Sequence, residues 1–199
     1  MLTKEFMQRL TRFAFQPHMT PDVQRRNMNT LTQEAARELF LFNLGIRDSA
    51  SIVRWADRHI AEDSVTNSTL IELSTAPVER TDRFISHLSD LARGSDYWSA
   101  VRDAMRDLHD FVERHPEEAE RIASSLFLLA CANLDEVPDE FSFIYHFDDA
   151  FYLGREGIYG SEEAVYADFL AALAKHKKEL NQPVEPTSHS APRCDSRLT

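Results

Sequence analysis

The sequence predicts an all-α fold, and three features carry that prediction. Apolar residues recur at steps of three and four over most of the chain, the spacing that gathers them on one helix face. Helix start and stop signals such as Thr20-Pro21, Gly45, Asp48-Ser49 and Gly94 fall at the edges of those runs. Two-residue alternation is missing over any useful length apart from the ambiguous Phe141 to Phe147, and glycine, which hairpins need, occurs only 5 times in 199 residues. The expected architecture is one globular domain of seven to nine helices over residues 1–180, followed by a flexible tail over 181–199.

The elements follow in order. Residues 3–15 read as a short amphipathic helix with Phe6, Leu10 and Phe13 at helical spacing, ended by Pro17. Thr20-Pro21-Asp22 then offers a hydroxyl cap, a proline at the first helical position and an acid in the positive first turn. Met28, Leu31, Ala35, Leu39 and Phe42 face inward from that helix, and Asn43-Leu44-Gly45 stops it. Asp48 or Ser49 caps the next, with Ile52, Val53, Ala56 and Ile60 inward and Trp55 at the flank. A short helix runs from Leu70 to Ser74. Pro77 opens a pattern carrying Phe84, Ile85, Leu88 and Leu91, closed by Gly94. Residues 96–114 place Val101, Met105, Leu108 and Val112 on one face, and Pro116 opens a helix with an acidic start and an apolar end. Gly154, Gly157 and Gly160 break the chain. Ser161-Glu162-Glu163 caps a last helix to about Leu180, with Val165, Phe169, Ala172 and Leu173 inward. From Asn181 the chain turns to Pro, Ser and Thr with few apolar residues, a composition that cannot build a core.

Composition bounds the function. With 33 acidic against 22 basic residues the formal charge is −11, which argues against general nucleic-acid binding and suits either simple solubility or a basic partner. Lys4, Glu5, Arg9 and Arg12 interrupt the apolar character that a signal peptide needs, and the apolar run Ile122 to Ala132 is too short to span a bilayer. The expectation is a cytoplasmic protein of bacterial type, without membrane contact. Cys131 within the apolar run is expected to be a buried thiol and Cys194 lies in the tail, so no disulfide framework is expected. The histidines show no ligand spacing; His59, His87 and His109 are expected on solvated helix faces. Phosphate-binding glycine loops, nucleophile elbows and zinc-protease motifs do not occur.

The chemistry concentrates in Leu134 to Leu153, LDEVPDEFSFIYHFDDAFYL. It combines Asp135, Glu136, Asp139, Glu140, Asp148 and Asp149 with aromatics, and no Lys or Arg occurs from Ile122 to Gly154. Three readings compete. In the structural one, Asp135 and Asp139 cap helices, Pro138 starts one, Asp148-Asp149 sit at the positive end of the following helix, and Phe141, Phe143, Phe147 and Phe151 supply core. In the metal reading, Asp139 with Asp148 or Asp149, joined by His146 or Glu140, offers hard oxygen ligands and an imidazole. The Glu-x-x-His pairs of helical di-metal sites and the glycine-centred calcium loop are both missing. In the interaction reading, acids around Tyr145, Tyr152 and Tyr159 form a face for a basic protein, with aromatic anchors and complementary charge.

Two resemblances bear on the choice. Asp135, Pro138 and Asp139, followed by Asp148 and Asp149 after the apolar run LFLLACAN, resemble the D-x-x-P-D…D-D pattern of the YkvA-like helical family, over residues 122–158. Ser142 and Tyr145 stand where that family has a second proline and a glycine. The resemblance implies a helical fold and no established activity. The segment IVRWADRHIAED followed by STLIELSTAP, within residues 46–94, is similar to helical immunity proteins encoded beside bacterial polymorphic toxins. That similarity implies a non-enzymatic protein that occludes a toxin's active surface. The leading expectation is therefore an immunity protein without cofactor, binding its basic partner through Asp135, Glu136, Asp139, Glu140, Tyr145, Asp148, Asp149 and Tyr152. Its rivals are a metal-dependent helical hydrolase using Asp139, His146, Asp148 and Asp149, and a phage-encoded nucleic-acid mimic.

Overall fold

The computed structural model describes the backbone of residues 21–62, 67–132 and 137–179, and side chains over 30–62, 67–132 and 137–176. Among the described residues there are eight α-helices and no strand: α1 (Pro21–Asn43), α2 (Ser49–Glu62), α3 (Ser68–Thr75), α4 (Thr81–Leu91), α5 (Tyr97–Arg114), α6 (Ala119–Ala132), α7 (Ile144–Arg155) and α8 (Glu162–Glu179). Single 3₁₀ turns at Pro116–Glu118 and Asp139–Phe141 precede α6 and α7. The expected helix over 3–15, the Met28 side chain and the tail from Asn181 lie outside what is described.

Short polar side chains fix the helix starts. The Asp48 carboxylate accepts the Ser51 backbone N–H at 2.7 Å for α2, and Asn67 Oδ1 accepts that of Thr69 at 2.9 Å for α3. Asp96 accepts from Ser99 at 3.2 Å for α5, and Ser161 Oγ from Ala164 at 3.3 Å for α8. Each satisfies an N–H that the helix itself cannot, typically worth about 1 kcal/mol. α1 stops at Gly45, whose φ of 70° is the left-handed conformation glycine tolerates best. Arg121 Nη1 closes that end by donating to the Leu44 carbonyl at 2.8 Å.

α1 is apolar on two faces and takes part in two cores. Leu31, Ala35 and Phe42 pack with Ile52 and Trp55 of α2, Leu70 and Leu73 of α3, and Phe84, Leu88 and Leu91 of α4. Phe40, Leu41 and Leu44 join Met105 and Leu108 of α5, Ile122 and Leu126 of α6, Phe151 of α7 and Phe169 of α8. Burying each large apolar side chain contributes about 1.5–3 kcal/mol relative to exposure. One charged residue, Glu38, is buried on α1 at 5% exposure. Its carboxylate accepts from Arg37 at 2.6 Å and Arg47 at 3.2 Å, and both guanidiniums also reach Asp107 of α5 at 2.5 Å. A buried carboxylate is tolerable only when paired in this way, and the pairing ties α1 to α5.

Several expectations are corrected. Pro77 opens a turn, with the Arg80 N–H on the Pro77 carbonyl at 3.0 Å, and α4 begins only at Thr81. Ile85 is 39% exposed and Trp55 is buried at 4%, reversing their expected places. Cys131 is exposed near the end of α6. His109 is buried, because its position on α5 falls between Met105 and Val112 on the inward face. His59 and His87 are half-buried, against Glu34 of α1 at 2.8 Å and Glu72 of α3 at 3.3 Å. Gly154 does not break the chain: it is buried inside α7, and a Cβ there would stand 3.0 Å from Val165 Cγ2 and 3.3 Å from the Ser161 carbonyl oxygen. The turn follows at Gly157 and Gly160, with φ of 68° and 69°.

Candidate interaction face on α6 and α7

The acidic stretch divides into an anchored turn and an exposed helix face. Phe141 closes the 3₁₀ turn and is fully buried. Its ring stacks on Trp98 of α5, with centroids 5.4 Å apart, and meets His176 of α8 at 5.2 Å. The Arg102 guanidinium lies 5.9 Å above the same ring and pairs with Glu140, so that acid is neutralised from α5. His176 also stacks on Phe143 at 5.3 Å. Aromatic pairs at such separations add about 0.5–1.5 kcal/mol each beyond area burial. Asp139 is exposed at the first position of the turn, whose N-cap, Pro138, makes no side-chain cap bond. Asp135 and Glu136 lie outside the described residues.

α7 turns its other side outward. Tyr145, Asp148, Asp149 and Tyr152 stand at i, i+3, i+4 and i+7, which places them along one stripe. Tyr145 is 44% and Tyr152 is 53% exposed. α6 braces both rings. Phe127 meets Tyr145 edge-on at 6.2 Å, while Arg155, 6.0 Å from the Tyr152 ring, is held by Glu120 at 2.8 Å. These contacts show α6 and α7 as antiparallel neighbours, since the start of one meets the end of the other. Leu128, 65% exposed on α6, adds apolar surface. Asp149 also borders a groove between α7 and α8 lined by His146, Leu153, Tyr159 and Asp168.

Asp148 and Asp149 lie in the middle of α7, between its ends at Ile144 and Arg155, and so do not occupy the positive helix end assigned to them by the structural reading. Neither carboxylate has an ion pair or hydrogen bond within the described residues. Phe141 and Phe151 do enter the core, and Phe143 and Phe147 pack against it. The turn chemistry thus accounts for the aromatics and Glu140, but not for the central acids.

The proposed metal set is not drawn together. Among the described residues, no three of Asp139, His146, Asp148 and Asp149 bring ligand atoms within 4.8 Å of one another; the group that does so is His109, Asp110 and Glu113 on α5. His109 Nδ1 lies 3.3 Å from Asp110 Oδ1 and 3.9 Å from Glu113 Oε2. The sequence signal was present as H-D-x-x-E on successive helix positions. It is hidden by the inward placement of His109, which a reading of solvated histidines does not anticipate.

Comparison with known proteins decides nothing further. The chain matches no family model, no curated protein and no solved structure. The similarities to YkvA-like and immunity proteins therefore rest on the residues quoted for them. Among the described residues no helix is long and apolar enough to cross a membrane.

Proposed function

We propose that this protein is a non-enzymatic binding protein whose α6–α7 face receives a basic protein partner, in the manner of an immunity protein occluding a toxin. The observation that supports this most is the stripe on α7: two carboxylates without partners stand between two exposed tyrosines that α6 holds in place. Tyrosine fits this role because its broad amphipathic ring buries area at low entropic cost, and it is enriched among residues that dominate interface energies. Unpaired surface acids accelerate encounter with a cationic surface and set the register.

The test is capture of the product of the neighbouring gene by the full chain at low and high salt. Binding is expected at low salt, weakened by salt, and weakened further by Asp148→Lys with Asp149→Lys. Retention unchanged by that double reversal would remove the face from the interface. Titration with Mn²⁺ or Mg²⁺ separates the hydrolase reading, which requires heat of binding lost in Asp139→Ala. The immunity reading requires no such signal.

A further inference from the structure

The groove between α7 and α8 borders the stripe but is built differently. Phe147, Ala150 and Leu153 of α7 and Val165 of α8 give it an apolar lining. Asp149 stands on its α7 side, Asp168 on its α8 side, and Tyr159 comes from the turn between them. Both carboxylates are exposed, and neither has an ion pair or hydrogen bond among the described residues. The volume is about 340 Å³, at the small end of the range of about 300–1,000 Å³ that ligand pockets span. That suits one long side chain.

The charge around the groove selects a cation that the two helices do not supply. From Ile144 to Ala174 the chain carries Asp148, Asp149, Glu156, Glu162, Glu163 and Asp168 against a single arginine. That arginine, Arg155, is already held by Glu120 of α6 at 2.8 Å. A cleft lined by one sign of charge focuses its field and concentrates the opposite charge there. Exposed apolar surface points to a protein as the source. Of the seven large apolar side chains exposed among the described residues, Leu128, Tyr145, Tyr152, Ile158 and Tyr159 stand on α6, α7 and the turn after it. Tyr159 belongs to both this set and the groove.

The placement of the acids decides which cation fits. A compact metal ion needs ligand atoms converging on one point, and His146, Asp149 and Asp168 do not bring theirs within 4.8 Å of one another. A guanidinium is planar and broad, with five N–H donors, so it can bond carboxylates on two walls. It is weakly hydrated and stacks on aromatic rings, whereas an ammonium is a compact, strongly hydrated charge. We infer that the α7–α8 groove receives one arginine side chain of the basic protein partner, its guanidinium shared by Asp149 and Asp168 and its aliphatic stem on Leu153 and Val165. The inference rests on the α6–α7 face being an interaction surface, and it extends that surface across α7 to α8. An arginine seated between two carboxylates is the kind of anchor that dominates interface energies.

The test is titration of the full chain with N-acetyl-arginine amide, followed by amide and methyl NMR. Saturable shifts are expected within residues 146–153 and 159–168, with the lysine and citrulline counterparts binding at least about tenfold more weakly. Asp149→Asn with Asp168→Asn should abolish the arginine shifts, while unchanged signals from α2 to α4 show that the fold is kept. Equal binding of either counterpart, shifts that survive the double substitution, or no saturation by about 50 mM would overturn the inference. Capture of the neighbouring gene product tells its failure from that of the α6–α7 face. Asp168 lies off the Tyr145–Tyr152 stripe, and Asp168→Asn should weaken capture about tenfold. Capture weakened by Tyr145→Ala but untouched by Asp168→Asn would overturn the groove and leave the face standing. Arginine binding without any capture would count against the partner and in favour of the groove.

Discussion

Replacing Gly154 by alanine sets two effects of opposite sign against each other. In an open helix interior alanine is favoured over glycine by about 0.8–1.0 kcal/mol. At Gly154 the added methyl would stand 3.0 Å from Val165 Cγ2, 3.3 Å from the Ser161 carbonyl oxygen and 3.4 Å from Glu162 Cα. Two of those atoms are backbone at the α8 start, which Ser161 caps, so they cannot rotate aside. Overpacking of this kind costs about 1–3 kcal/mol, and the expected net result is a loss of between about 0 and 2 kcal/mol. Urea unfolding measures it as a lower midpoint at unchanged slope. Val165→Ala removes the nearest contact and should couple favourably with Gly154→Ala, by about 1 kcal/mol in a double-mutant cycle. A gain in stability from Gly154→Ala alone, or independence of the two sites, would refute the close α7–α8 contact at Gly154.

Three further outcomes follow from the packing. Phe141→Ala should cost about 3–5 kcal/mol in urea unfolding, since a fully buried ring between Trp98 and His176 is lost; a cost under about 1 kcal/mol would show that the acidic turn is not anchored there. Glu38→Ala should cost about 1–2 kcal/mol by the same measurement, because Arg37 and Arg47 lose one charged hydrogen-bond partner but remain partly exposed and paired with Asp107. The Asp48 carboxyl lies below the ordinary aspartate range because the Ser51 hydroxyl and backbone N–H bond its ionised form. A depressed pKa contributes stability above the unfolded value, lost as the pH falls through the folded one. The melting-temperature gap between the protein and Asp48→Asn should therefore be present near pH 6 and shrink towards about pH 2.

The helical class and most helix faces were legible because they rest on local spacing and on capping side chains. Asp48 and Ser161 act at the helix starts where the sequence placed them. What escaped was set by tertiary contact. Gly154 looked like a breaker because glycine's low propensity is local, whereas the closeness of Val165 and Ser161 is not. Pro77 starts a turn and not the helix it appeared to open, since the proline pattern alone does not distinguish the two. In the candidate site, Glu140 and Asp148 looked alike, and only Arg102 reaching from α5 separates a neutralised acid from an available one. His109 stands at helical spacing from Met105 and Val112 on the inward face, so its burial followed from the same local periodicity and was passed over.

The central claim is that the α6–α7 face is where a partner binds. Hydrogen exchange of the full chain, with and without the product of the neighbouring gene, reads this directly. Protection is expected over residues 139–156, with Tyr145→Ala and Tyr152→Ala each weakening binding about 30-fold, equivalent to about 2 kcal/mol. Protection confined to α2, α3 and α4, with both tyrosine variants binding normally, would contradict the account and move the interface to the opposite core.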